Sequence, residues 1–174
     1  MRKKKKAAVN RAQNNAMLKV SVKNFGPIVD GDVEIRPLTV FIGPNGCGKT
    51  YLSVALFTFL RTQSEQVSES AQVLVMRLAR QWERTRDADT TMLVVDAFEK
   101  SLDYIAAGMK EVCRRVPQSL GIKGKEIPRR GSELAEIGVE GRLGRFVFRW
   151  QKDGAAPFSR RISRLKVVEE LRKI

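Results

Sequence analysis

The sequence predicts an α/β fold of the P-loop NTPase class, and three consecutive observations carry that prediction. Leu38-Thr39-Val40-Phe41-Ile42 is an unbroken apolar, β-branched run, the pattern of a strand buried on both faces. Gly43 to Thr50 is a glycine-rich turn. Tyr51 to Leu60 is apolar over a length that suits a buried helix. Strand, glycine turn and helix in that order form a phosphate-binding unit.

The elements on either side follow from hydrophobic period and turn signals. Leu18, Val20 and Val22 alternate with Lys19 and Ser21, predicting a half-buried strand broken by Gly26-Pro27. Behind the Asp30-Gly31 turn signal, Val33 and Ile35 alternate with charged residues, predicting a second short strand that Pro37 ends. Past Arg61 the period becomes helical. Val67, Ala71, Leu74, Leu78 and Trp82 share one helix face up to about Asp87. Val95, Phe98, Leu102, Ile105, Met109, Val112 and Val116 share another, up to Pro117. These two amphipathic runs predict an antiparallel helical hairpin. Residues 118–144, rich in glycine and basic side chains, predict loop. Phe146, Phe148 and Trp150 alternate with more polar residues, and Phe158 to Ile162 is expected to return as a partner strand across Lys152-Asp153-Gly154. Leu165 to Leu171 predicts a short terminal helix. The organisation expected is a disordered basic tail (1–16), a P-loop core (17–62), an inserted helical hairpin (63–117), and a basic segment with a β-hairpin and terminal helix (118–174).

Charge and composition narrow the chemistry. The chain has 174 residues, a formal charge of +14 and no histidine. Histidine triads, histidine general bases and histidine-ligated metals are excluded. Two cysteines, Cys47 and Cys113, cannot build a disulfide scaffold and fit a reducing, cytoplasmic setting. No apolar stretch has the length of a membrane span, so no membrane partner is expected. The excess charge lies at the ends: residues 1–16 carry +6, residues 17–100 are neutral, and residues 101–174 carry +8. Met17 opens the first strand pattern and is a candidate start, with residues 1–16 an extension. Arg142, Arg145, Arg149, Lys152, Arg160, Arg161, Arg164 and Lys166 lie close in sequence to Phe146, Phe148 and Trp150. Such a mixture suits DNA through phosphate pairing and base stacking. The same alternation also describes a core strand with a charged outer face, and both readings stand at this point.

The decisive segment is Gly43-Pro44-Asn45-Gly46-Cys47-Gly48-Lys49-Thr50, which fits G-x-x-x-x-G-K-[ST] without a mismatch. Glycines let the main chain turn its N–H groups inward around an anion. The helix that begins near Lys49 adds its positive end. Lys49 can place an ammonium on the β- and γ-phosphates of ATP, and the Thr50 hydroxyl can ligate Mg²⁺. The cofactors expected are therefore ATP and Mg²⁺, with Thr50 the metal-site residue. Cys47 reads as a small loop filler.

Residues Met17 to Ile28, with Asn24-Phe25 at their end, and Pro37 to Thr50, with Gly-Pro-Asn-Gly-Cys-Gly-Lys-Thr, together resemble the N-terminal ATPase lobe of the RecF/SMC/OLD-nuclease group. That group belongs to the ABC-type ATPases and is often labelled "AAA family ATPase". The resemblance covers residues 17–62. It implies that Gly43 to Thr50 cradle Mg-ATP and that the peptide N–H groups of Thr50 and Tyr51 lie near the α- and β-phosphates. It further implies dimerisation on ATP and a role in DNA transactions, antiphage defence or nuclease activity. Two family elements find no match. No Ser-Gly-Gly-type signature occurs, and the nearest imitation of an Asp-Glu Walker B strand, Met92 to Asp96, continues with Ala97 and sits in the second helical run. Gln63, Gln66, Gln72 and Gln81 are equal candidates for a Q-loop glutamine. The expectation is an incomplete ATPase lobe that binds Mg-ATP and obtains its hydrolytic elements from a homodimer mate or a partner subunit. The alternative is a truncated, non-hydrolysing nucleotide- or DNA-binding regulatory protein.

Overall fold

The computed structural model describes residues 18–84, 90–141, 144–154 and 158–161. Its elements are β1 (Leu18–Phe25), β2 (Ile28–Ile35), α1 (Lys49–Arg84), α2 (Thr90–Met109), α3 (Glu111–Leu120), a 3₁₀ turn (Gly124–Glu126), β3 (Leu134–Gly141), β4 (Gly144–Gln151) and β5 (Phe158–Arg161). The chain divides into two compact units. One holds residues up to Lys49 together with 125–163; the other holds residues 50–124 and 164–174. The chain is mixed α/β, as predicted. Expectations for residues 1–16 and for the terminal helix at 165–171 lie outside the described residues.

The first unit is a five-stranded antiparallel sheet in the order β2-β1-β3-β4-β5. Strict alternation gives it one apolar face. Leu18, Val20, Val22 and Phe25 of β1, Ala135, Ile137 and Val139 of β3, and Phe146, Phe148 and Trp150 of β4 are all buried. Phe25 meets Trp150 with ring centroids 5.4 Å apart, and Phe148 meets Phe158 at the same distance. Burying such aromatic side chains contributes about 1.5–3 kcal/mol each. The opposite face is polar, with Arg149 donating to Glu136 at 2.7 Å and to the Ser159 hydroxyl at 3.0 Å. The turn between β1 and β2 is fixed by main-chain bonds from Gly26 N–H to Ile127 O and from Arg129 N–H to Asn24 O, both 2.8 Å. Asn24 takes φ +49° there, a left-handed conformation that asparagine tolerates better than most residues.

Two predictions for this unit fail. The run Leu38 to Ile42 is not a sheet strand; it is unpaired, with Leu38, Val40 and Ile42 between 70% and 88% exposed. A strand needs neighbours to accept its main-chain groups, and among the described residues no parallel strand flanks this one. Conversely, residues 134–141, expected as loop, form the central strand β3. The sequence Leu-Ala-Glu-Ile-Gly-Val-Glu-Gly does alternate, but two glycines and an alanine weaken its signal. Tertiary pairing on both sides supplies the order that propensity lacks. The predicted hairpin at Phe146–Gln151 and Phe158–Arg161 does form, with Gly154 at φ +91° in its turn.

The second unit is helical. The apolar helix after the glycine turn and the first amphipathic run are one helix, α1, of 36 residues. Its buried side chains are Leu52, Ala55, Leu56, Thr58, Phe59, Thr62 and Ser70. The predicted seam is only partly covered: Val67 is 42% exposed and Ala71 is exposed, whereas Leu74 and Leu78 are half-buried. A Cβ on Gly108 of α2 would overlap the Gln66 side chain of α1. The second run was predicted as one helix ending at Pro117. It divides at Lys110 into α2 and α3, and Pro117 lies inside α3. Gly121, at φ +70°, ends α3 by donating its N–H to Gln118 O, while Ile122 N–H reaches Pro117 O. Leu102, Ile105, Met109, Val112 and Val116 are buried as the period predicted. Arg115 joins Glu65 of α1 and Glu111 of its own helix; Arg115 with Arg61 holds the Glu65 carboxyl below its ordinary value, and Arg114 first, then Arg115, does the same for Glu111. Among the described residues no helix is long and apolar enough to cross a membrane.

Candidate phosphate-binding site

Residues Gly43 to Gly48 form the turn that joins the run 38–42 to α1, and α1 begins at Lys49. Three of the six take φ values reserved for glycine: Gly43 at +152°, Gly46 at +79° and Gly48 at +97°. Gly48 has a second requirement. It is buried, and a Cβ there would collide with Ile28 Cγ1 and stand 3.0 Å from Ile28 Cδ1. The β1–β2 turn therefore abuts the loop through Ile28. Sequence reasoning missed this residue, because nothing in a linear pattern reports an apolar side chain lying across a glycine 20 positions later.

Lys49 folds back over the loop. Its ammonium donates to Gly43 O at 2.8 Å and to Pro44 O at 2.6 Å, and stands 3.8 Å from Cys47 Sγ. A cation bonded to carbonyls at the loop's start, from a residue at its end, closes the turn into a ring. The charge is thereby held at the mouth of the loop. Gly43, Pro44, Asn45, Gly46 and Cys47 are exposed, so the rim is open to a ligand. Cys47 packs its sulfur where a Gly43 Cβ would approach to 3.2 Å, which gives it the filler role expected of it. Thr50 and Tyr51 complete the first turn of α1. Thr50 is exposed and Tyr51 half-buried. The residues Lys49 to Leu52 include no acid, so no carboxylate competes for the positive end of the helix.

The arrangement can bind an anion through main-chain N–H groups, a helix N-terminus and one ammonium, the three donors that polyphosphate recognition uses. Asp96, the nearest sequence imitation of a Walker B carboxylate, falls within helix α2 rather than at a strand end.

The aromatic residues proposed to stack on bases are not available. Phe146, Phe148 and Trp150 are each at most 3% exposed. Of the basic residues between them, Arg149 pairs with Glu136, and Lys152 pairs with Glu133 at 2.9 Å. The core-strand reading of that segment is correct.

No curated protein and no solved structure shows significant similarity to the chain. The family model described as the AAA ATPase domain matches residues 17–135. That match spans more than half of the chain and takes in β1, β2, the glycine loop and all three helices. A match of this extent, with the glycine loop inside it, places the chain in the AAA ATPase domain family.

Proposed function

We propose that this chain is the Mg-ATP-binding module of a RecF/SMC/OLD-like ATPase, and that hydrolysis requires elements contributed by a second lobe or subunit. The observation that carries the reading is the Lys49 ammonium, held at the mouth of a three-glycine turn that runs directly into a long helix. ATP entering the loop exchanges the Gly43 and Pro44 carbonyls for phosphate oxygens as partners of Lys49. Main-chain N–H groups of the loop, and of Thr50 and Tyr51, take the remaining oxygens. Among the described residues no group of three acidic or thiol side chains gathers to hold a metal. The Thr50 hydroxyl is the donor that fits Mg²⁺, which would arrive with the nucleotide and neutralise phosphate charge.

The unpaired run Leu38 to Ile42 supports the need for a partner. Three exposed apolar side chains at alternate positions, next to the loop, suit a strand that another polypeptide completes. A homodimer mate or a separate subunit would bring that strand together with the missing carboxylate and signature. A DNA-linked role rests on the family resemblance and on the positive charge of residues 101–174. With the aromatics buried, contact would run through phosphates rather than base stacking.

Fluorescent ATP-analogue titration with magnesium tests the reading. Wild type is expected to bind and Lys49→Ala to lose at least tenfold in affinity. Purified chain alone is expected to release no phosphate above that of the Lys49→Ala variant. Equal affinity of the two proteins would refute the assigned site, and Lys49-dependent turnover by the isolated chain would refute the need for a partner.

A further inference from the structure

The polar face of the sheet carries a charge pattern that ends on an open edge. In β2, Asp30, Asp32 and Glu34 lie at alternate positions, opposite Lys23, Ser21 and Lys19 of β1. On the other side of β1, Glu136, Gly138 and Glu140 of β3 oppose the same three residues, and Arg149 and Arg145 of β4 then oppose the two glutamates. From β2 through β4 the sign alternates strand by strand, acidic, basic, acidic, basic, while β5 brings Arg161 opposite Arg145 of β4. β2 ends the sheet. Val29 is 51% exposed, Asp30, Gly31, Asp32 and Glu34 are exposed, and among the described residues no strand pairs with that edge. Glu34 shares Arg36 at 3.7 Å. Among the described residues Asp30 and Asp32 have no ion pair. A groove of about 330 Å³ opens beside them on the same face, lined by Lys19, Ser21, Asp32, Glu34, Glu140 and Arg145. Gly138 keeps it open, since a Cβ there would strike the Ser21 hydroxyl.

We propose that the free edge of β2 accepts an extended segment of a partner protein with Lys or Arg at every second position, adding a sixth strand to the sheet. Main-chain N–H and C=O groups along the edge of β2 supply the pairing, as in other β-augmentation sites. Charge supplies the selection. Directly opposite charges favour a cross-strand pair and like charges oppose it, so the acidic row repels a second β2 and admits a basic strand. A basic side chain of that strand reaches over β2 into the groove, where Asp32 and Glu34 stand at its near rim. Neither the glycine loop nor its nucleotide takes part, so this edge is independent of the site proposed above.

The probes are labelled peptides read by fluorescence anisotropy on the full chain: one alternating Lys and Thr, one alternating Glu and Thr, and one with the same Lys and Thr grouped in two blocks. The alternating Lys peptide is expected to bind at least tenfold tighter than either of the others. Asp30→Lys with Asp32→Lys is expected to reverse the preference between Lys and Glu peptides. Asp30→Asn with Asp32→Asn is expected to reduce it, and this pair carries the test should the reversed variant fail to fold. Equal binding of the alternating and blocked Lys peptides would show attraction without strand pairing and overturn the proposal. So would absence of binding, or self-association of the free chain that the Asp32 substitutions abolish, which would make the occupant a second copy.

Discussion

Gly48→Ala isolates the contact that holds the phosphate loop against the sheet. Two separable costs are expected. At φ +97° an alanine is outside the conformations open to L-residues, which costs about 1–2 kcal/mol. The new Cβ also meets Ile28, and forcing a methyl into a filled site costs about 1–3 kcal/mol. The sum, about 2–5 kcal/mol, appears in one of two places. If the loop keeps its shape, urea unfolding reports lower stability. If the loop relaxes, stability is retained and ATP-analogue affinity falls, by a factor of ten for each 1.4 kcal/mol. A double-mutant cycle with Ile28→Ala divides the total. Removing the Ile28 side chain relieves the clash and leaves the backbone strain, so Gly48→Ala is expected to cost about 1–3 kcal/mol less in the Ile28→Ala background. An unchanged cost in that background would refute the proposed contact. A Gly48→Ala variant with wild-type stability and affinity would refute the loop conformation itself.

Three further outcomes follow from the packing and the ion pairs. Trp150→Ala removes a side chain 1% exposed that stacks on Phe25, and urea unfolding is expected to show a loss of about 3–5 kcal/mol. Arg115 and Arg61 hold the Glu65 carboxyl below its ordinary value of 4.5. A depressed carboxylate contributes stability above its unfolded value and loses it as pH falls through the folded one. Glu65→Gln is therefore expected to be less stable than wild type at pH 7, with the gap closing below pH 4.5 in acid-unfolding curves; a gap that persists at acid pH would refute the pairing. Leu38→Ser with Ile42→Ser alters residues that bury nothing in the isolated chain. Its thermal stability is expected to stay within about 0.5 kcal/mol of wild type, while assembly with a completing subunit, followed by sedimentation, is lost.

How much of this was legible in advance varied with the kind of signal. The loop was fully written in one dimension, because each residue from Gly43 to Thr50 acts through its own backbone or a short side chain. β1 and β4 were legible for a similar reason: large apolar residues at alternate positions report one buried face. β2 was legible only in its second half, because Asp30-Gly31, expected as a turn, pairs with Lys23 and Val22 inside the strand, and of its apolar residues only Ile35 is buried. β3 was not, since Ala135 and Gly138 fit a crowded central position by being small, and small residues leave no hydrophobic signature. The same holds for the buried side of α1, where Thr62 and Ser70 are covered and Val67 is left outside. Period alone identified a helix but did not fix which of its residues are covered.

The sequence by itself determined the glycine loop with Lys49 and Thr50 at its end, the absence of histidine chemistry, and the alternation that makes one sheet face apolar. These are properties of residue type and local spacing, which need no neighbour to exist. Only the tertiary structure decided that Leu38 to Ile42 stays unpaired, that Ile28 lies across Gly48, that β3 sits at the centre of the sheet, and that β2 ends it with an exposed acidic row. Each of those depends on which segments meet across long stretches of chain. That is settled by the free energy of whole surfaces coming together, a quantity no single stretch of sequence carries.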